Sequence, residues 1–217
     1  MKGLLIKDFR LFWQQKLFFV VLIFLAVFLG TNTSDPLFVM AYLPFCACFF
    51  AWSTINYDEF DNGFEFLFTL PFTRKTYAIE KYVFGIGMST VFWTIGTVIM
   101  FVEGGVRAGE ELQQFWLSAV VILAVVILML DLILPLHLKF GAEKGRFVMF
   151  VAIGVIFAAV YFGEKLMERV PVDGNACLNK IFEFGETGLF LAGCAVIAIL
   201  TIISIGISIH ILRKKQF

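Results

Sequence analysis

The chain is poor in charge and has almost no histidine. Only 16% of its 217 residues are Asp, Glu, Lys or Arg, and the formal net charge is zero. A neutral chain lacks the clustered cations that hold a nucleic-acid backbone, so no nucleic-acid partner is expected. The two histidines, His137 and His210, lie near the ends of apolar runs, and the four cysteines form no framework. Cys46, Cys48 and Cys194 fall in apolar runs and Cys177 in a loop. Free thiols that prefer apolar surroundings are the expectation, because Cys46-x-Cys48 has no further ligands nearby for a metal. The phosphate-binding pattern G-x-x-x-x-G-K-[ST] is missing, as are H-E-x-x-H and G-x-S-x-G. These absences leave no basis for ATP hydrolysis or hydrolase chemistry by the chain itself. Ion-coupled carriers keep ionisable groups or broken helices near the membrane midplane, and neither is clear here. Energy for any transport is expected to enter from another molecule.

Apolar residues are what the chain has. They make up 60% of it, including 28 phenylalanines, against roughly 45–50% in soluble domains. The mean hydropathy is +0.92. An all-α integral membrane protein follows, with residues 1–217 as a single transmembrane domain. Six stretches are free of Asp, Glu, Lys and Arg: 17–34, 36–57, 82–102, 112–130, 147–163 and 187–212. The fourth is expected to continue as a span to about 136. A crossing helix needs about 17–25 residues, and the dyad alternation of barrel strands is absent. No cleavage pattern follows the first run, so it is expected to remain as a span.

Before it, residues 1–16 read as an amphipathic helix in the membrane plane. Leu5, Ile6, Phe9, Phe12 and Trp13 share one side, with Lys7, Arg10 and Gln14 on the other. A cytosolic extension of the first span is the alternative. Lys and Arg set the orientation. With both termini cytosolic, thirteen of these residues lie inside and four outside. The outer 164–186 segment contains a half-apolar piece, 178–184, suited to an interfacial hairpin.

Between spans two and three runs YDEFDNGFEFLFTLPFTRKTYAIEK, Tyr57 to Lys81, with five acids, three bases and five phenylalanines. So many charges cannot enter hydrocarbon. The expectation is a short surface helix over 58–70. Phe60, Phe64 and Leu67 form an apolar stripe that Phe68 extends. Asp58, Glu59 and Asp61 sit in its first turn, Pro71 stops it, and Lys81 lies at the headgroup level. Such a helix docks a soluble partner or merely anchors the two spans. Within the spans, Asp131 is the exceptional carboxylate, one turn before Pro135. It is either a structural residue or a transport residue. Gly154-xxx-Ala158 and Ser204-xxx-Ser208 are small-residue pairs suited to close helix approach.

At these residues the chain resembles the ABC-2-type transporter permeases. The resemblance rests on the opening MKGLLIKDF, on Leu70-Pro71-Phe72-Thr73-Arg74-Lys75 followed by Lys81-Tyr82, and on the six-span layout. Phe72 stands where a smaller aliphatic is usual, and Thr73 where Ser is common. Within that family the chain is similar to the short permeases of the exporters for phenol-soluble modulins or bacteriocins. The resemblance implies a bacterial plasma-membrane exporter subunit that pairs with a second permease copy, as a homodimer. It implies a separate cytosolic ATP-binding subunit carrying ATP and Mg, with no cofactor on this chain. The partner would grip the segment holding Asp58, Glu59, Phe60, Asp61, Phe64, Leu67, Phe68, Pro71, Arg74 and Lys75. The alternatives are a membrane scaffold or immunity protein, or an ion-coupled carrier.

Overall fold

A computed structural model describes the backbone over 2–32, 36–60, 63–103, 110–167 and 185–215. Side chains are described over 2–31, 37–60, 63–103, 112–141, 144–145 and 193–215. Asp61, Cys177 and the 178–184 piece lie outside the described residues, as do the side chains of Gly154-xxx-Ala158. Among the described residues seven helices follow in order: α1 Lys2–Gln14, α2 Lys16–Asn32, α3 Pro36–Glu59, α4 Gly63–Leu67, α5 Arg74–Glu103, α6 Glu110–Met167 and α7 Gly185–Lys214. The described residues contain no strand. Among the described residues, four helical segments are long and apolar enough to cross a membrane: Leu37–Glu59, Arg74–Glu103, Leu112–Gly141 and Gly193–Lys214. The bent pair α1–α2, with 64° between its halves, is a fifth if counted as one span.

The bundle is held by close backbone approach and by aromatic rings. On α5, a Cβ at Gly85 would meet the side chains of Leu130 and Ala51 at 3.2 and 3.3 Å. One at Gly96 would meet the carbonyls of Val39 and Met40 at 3.5 and 3.6 Å. Small residues draw membrane helices together because lipid gives no hydrophobic reason to associate. The Met40 carbonyl is the one that Pro44, inside α3, leaves without its helical donor. Phe19 on α2 then packs against Phe50 and Phe92, each at 5.0 Å between ring centres, and against Phe12 at 4.5 Å. One ring cluster thus joins α1, α2, α3 and α5. Ile6, Phe9 and Trp13 of α1 point outward.

Helix α6 is broken at Gly141, whose φ of 74° and ψ of 179° are open essentially only to glycine. A Cβ there would also lie 2.5 Å from the Glu59 carboxylate. The helix-breaking residue therefore seats the end of α3. The portion of α6 before this break runs parallel to α7: Asp131 meets Thr201, and Leu138 meets Lys215.

Four segments assigned inside by their cations meet at one end of the bundle. Lys7 of α1 pairs with Asp58. Arg74 donates to the carbonyls of Leu212, Arg213 and Lys215, each 2.8–3.2 Å away. Lys215 lies 3.4 Å from the Leu138 carbonyl and 3.7 Å from Glu59. At the far end, Glu103 packs on Gly30.

One boundary and the burial of two cysteines differ from the sequence expectation. The third membrane helix begins at Arg74, eight residues before 82, because Thr73 caps it: the Thr76 amide donates to the Thr73 hydroxyl at 3.2 Å. Cys194 is exposed on the bundle surface and Cys46 is only half-buried, while Cys48 is buried. A thiol facing a membrane needs no protein shell.

Candidate functional site

The connection between α3 and α5 is not one helix over 58–70. Asp58 and Glu59 end α3, Phe60 forms a tight turn, and α4 spans only Gly63–Leu67. The acids therefore stand at a helix C-terminus and not in a first turn, because α3 continues past the apolar run. Gly63 permits the tight return: a Cβ there would come within 2.6 Å of the Asp58 carbonyl. Beyond α4 the chain turns through Thr69 and Leu70, whose amides donate to Phe66 and Leu67, before Pro71.

The predicted stripe divides: Phe60 is exposed, while the part on α4 turns inward. Phe64 and Leu67 are buried. Phe64 stacks on Phe68 at 5.8 Å and meets Tyr77 edge-on at 5.7 Å. Lys215 sits over the Phe64 ring at 5.6 Å, and Arg74 over Phe68 at 5.5 Å. The face left outside is made of Phe60, Phe66, Leu70 and Pro71, with Phe60 73% and Phe66 72% exposed. Lys75 and Glu65 are exposed beside it. Arg74 is committed to the end of α7.

Behind this connection lies a charge cluster that the sequence reading missed. Lys81, expected at the headgroup level, is buried within the bundle at 1% exposure. Its ammonium lies 2.5 Å from Asp8, 2.8 Å from Asp58 and 3.0 Å from the Thr54 hydroxyl. All three donors of the ammonium thus have acceptors. Asp58 also accepts from Tyr77 at 3.0 Å and pairs with Lys7. Glu80, also buried, is 4.0 Å from Lys81. Buried charges persist only when paired and hydrogen-bonded. Lys81, Asp8 and Asp58 do both while tying α1, α3 and α5 together, whereas neither Glu80 oxygen has a hydrogen-bond partner among the described residues. A signal existed: Asp8 falls among Leu4, Leu11 and Phe12 on the wheel of α1, a carboxylate on an apolar stripe.

Asp131, the intramembrane candidate, lies where α6 meets α7. Its Oδ2 accepts from Thr201 at 2.7 Å, and its backbone carbonyl accepts from Ser204 at 2.5 Å. That carbonyl is the one Pro135 deprives of a helical donor. Tyr82 of α5 lies 2.6 Å from the Ser204 hydroxyl and 2.9 Å from that of Ser208. Since Ser204 spends its proton on Asp131, Tyr82 donates to Ser204 and Ser208 donates to Tyr82. The Ser204-xxx-Ser208 pair is therefore a clamp on a tyrosine hydroxyl, joining α5, α6 and α7.

Among the described residues, no group of three or more His, Cys, Asp or Glu is disposed to hold a metal. The arrangement offers bonds between helices and an apolar outward face, not a reacting constellation. The family model described as ABC-2 family transporter protein matches residues 3–213. No curated protein and no solved structure matches the chain.

Proposed function

The chain belongs to the ABC-2 transporter family, and from that premise we propose that it is the membrane gate of an ATP-driven exporter for apolar or amphipathic cargo such as a toxin peptide. Family membership makes it a multi-pass permease whose ATP hydrolysis belongs to a cytosolic ATP-binding subunit. Outward direction, cargo class, the pairing of two copies and the bacterial plasma membrane are our reading. So is the placement of both termini in the cytosol.

The observation that carries the reading is the α3–α5 connection. It presents Phe60, Phe66, Leu70 and Pro71 outward, and it is anchored from behind by Phe64, Leu67 and the Lys81 cluster. A push on its face is delivered to α1, α3 and α5 together. An exposed aromatic patch rimmed by charge is the anatomy of a protein-binding surface. Asp58, Glu59, Arg74 and Lys75 serve it differently: the first three hold the connection in place, and Lys75 stands at its rim.

Six crossings fit this reading. The parallel run of α6 and α7 supports a return crossing between them, and we assign it to the helical backbone over 142–167. Spans largely free of charge suit an uncharged or amphipathic cargo.

The test is reconstitution. Chain and ATP-binding subunit are placed together in vesicles with a labelled amphipathic peptide. ATP-dependent movement of the peptide away from the nucleotide side supports the proposal. Transport by the chain alone under an ion gradient, or no nucleotide-dependent movement of any amphiphile, overturns it.

A further inference from the structure

A trough of about 1010 Å³ lies between α6 and α7. Its length is apolar, with walls that include Leu132, Pro135, Ile203 and Ile207. Its two ends differ. One reaches Asp131, whose oxygens are turned to Thr201 or shielded from solvent. The other carries Lys139, His210 and Lys214, all exposed, at the end of the bundle where the N-terminal helix and the α3–α5 connection also meet. Asp131 and Lys139 are eight residues apart on one helix, so the apolar part is about 12 Å long.

Arg74 binds the last carbonyls of α7, which anchors the backbone that carries Lys214. Lys139 packs over the Phe140 ring at 5.1 Å. The second apolar groove, of about 670 Å³ between α1, α2 and α5, provides a contrast. It carries Lys16 as its one lining cation, and that lysine rests over Trp13. An apolar trough closed by several cations is distinctive of the α6–α7 side.

We infer that the α6–α7 trough seats an anionic phospholipid of the inner leaflet, with an acyl chain along Leu132 and Ile203 and its phosphate at Lys139 and Lys214. Charge complementarity selects this occupant. Basic pockets between membrane helices recognise anionic headgroups, and each cation contributes through its attraction to them. A free phosphate has no use for the apolar length, and a neutral lipid has none for the cations. A lipid held there bears on the α7 end that Arg74 ties to the α3–α5 connection. The choice of leaflet rests on the orientation proposed above, and the anionic-lipid site itself is tested by lipid retention and not by transport, so its failure is distinguishable from that of the exporter reading.

The experiment uses the full chain, purified in detergent and offered dioleoyl phosphatidylglycerol, dioleoyl phosphatidylcholine or inorganic phosphate. Retained lipid is read by native mass spectrometry and the thermal midpoint by unfolding. The expected result is retention of the glycerol lipid with a raised midpoint, and neither effect from the other two. Lys139→Gln with Lys214→Gln weakens retention about thirtyfold. Ile203→Trp, which fills the trough and leaves the cations in place, also abolishes it. Equal retention of the choline lipid, a shift by phosphate alone, or undiminished retention in either variant overturns the inference. So does a dimer that disappears on Ile203→Trp, since it assigns the trough to a second copy.

Discussion

Lys81 of α5 and Asp8 of α1 meet 2.5 Å apart with both side chains out of solvent. The pair lies at the bundle end where the α3–α5 connection is attached. It makes the N-terminal helix part of the machine and not an appendage.

Lys81→Met leaves Asp8 and Asp58 as buried carboxylates without their buried cation, with the half-exposed Lys7 still against both. Breaking a buried pair from one side costs about 3–5 kcal/mol. Lys7→Met removes a half-exposed lysine, 36% accessible, and costs about 1 kcal/mol or less. Thermal unfolding in detergent should rank the two variants in this order. Equal midpoints would mean that the cluster does not hold the bundle.

Ser204→Ala removes the donor to the Asp131 carbonyl and the acceptor for Tyr82. Unmade buried hydrogen bonds cost about 1–3 kcal/mol. Ser208→Ala, which removes only a donor to Tyr82, costs less. Pro135→Ala returns an amide to the Asp131 carbonyl, so the double variant Ser204→Ala, Pro135→Ala recovers part of the loss. A double-mutant cycle measures that coupling, and strict additivity would contradict the hydrogen-bond assignment.

Gly141→Ala is destabilising for two reasons, backbone conformation and the Glu59 carboxylate. The conformation costs about 1–3 kcal/mol by itself. Adding Glu59→Ala relieves only the contact, so stability stays below that of the parent chain. Full recovery in the double variant would show that φ at 141 is not a constraint.

Asp131→Asn keeps a carbonyl oxygen for Thr201 and leaves the backbone bond to Ser204 intact. Its midpoint is expected within about 1 kcal/mol of the parent, whereas Asp131→Leu, which removes the acceptor, falls further. Export rates of the two variants separate a structural aspartate from a transport one: normal export with Asn assigns it to structure.

The membrane class, the apolar runs and the gathering of four cationic segments at one end were legible in the sequence. Each follows from composition summed over many residues. The Phe60, Phe64 and Leu67 stripe was legible only in part: Phe64 and Leu67 share a buried face of α4, but Phe60 lies ahead of that helix and is exposed. Periodicity holds only within one helix, and only the neighbours decide where its face turns. Lys81 was unreadable as a buried residue because its partners lie 73 and 23 positions away, at Asp8 and Asp58. The clamp on Tyr82 was half legible. Ser204 and Ser208 at one-turn spacing announce a close approach, but the hydroxyl they hold comes from another helix. The length of α4 depended on Gly63 and on α3 running on through Asp58, which no local propensity states.

The central claim is that the outward face of the α3–α5 connection grips an ATP-binding subunit. The most direct measurement is co-purification of that subunit, expressed together with the chain, on Phe60→Asp and Phe66→Asp variants whose midpoints match the parent. The account predicts loss of the subunit from both, because neither ring is packed into the bundle and each forms the face. Undiminished capture by both variants would contradict it.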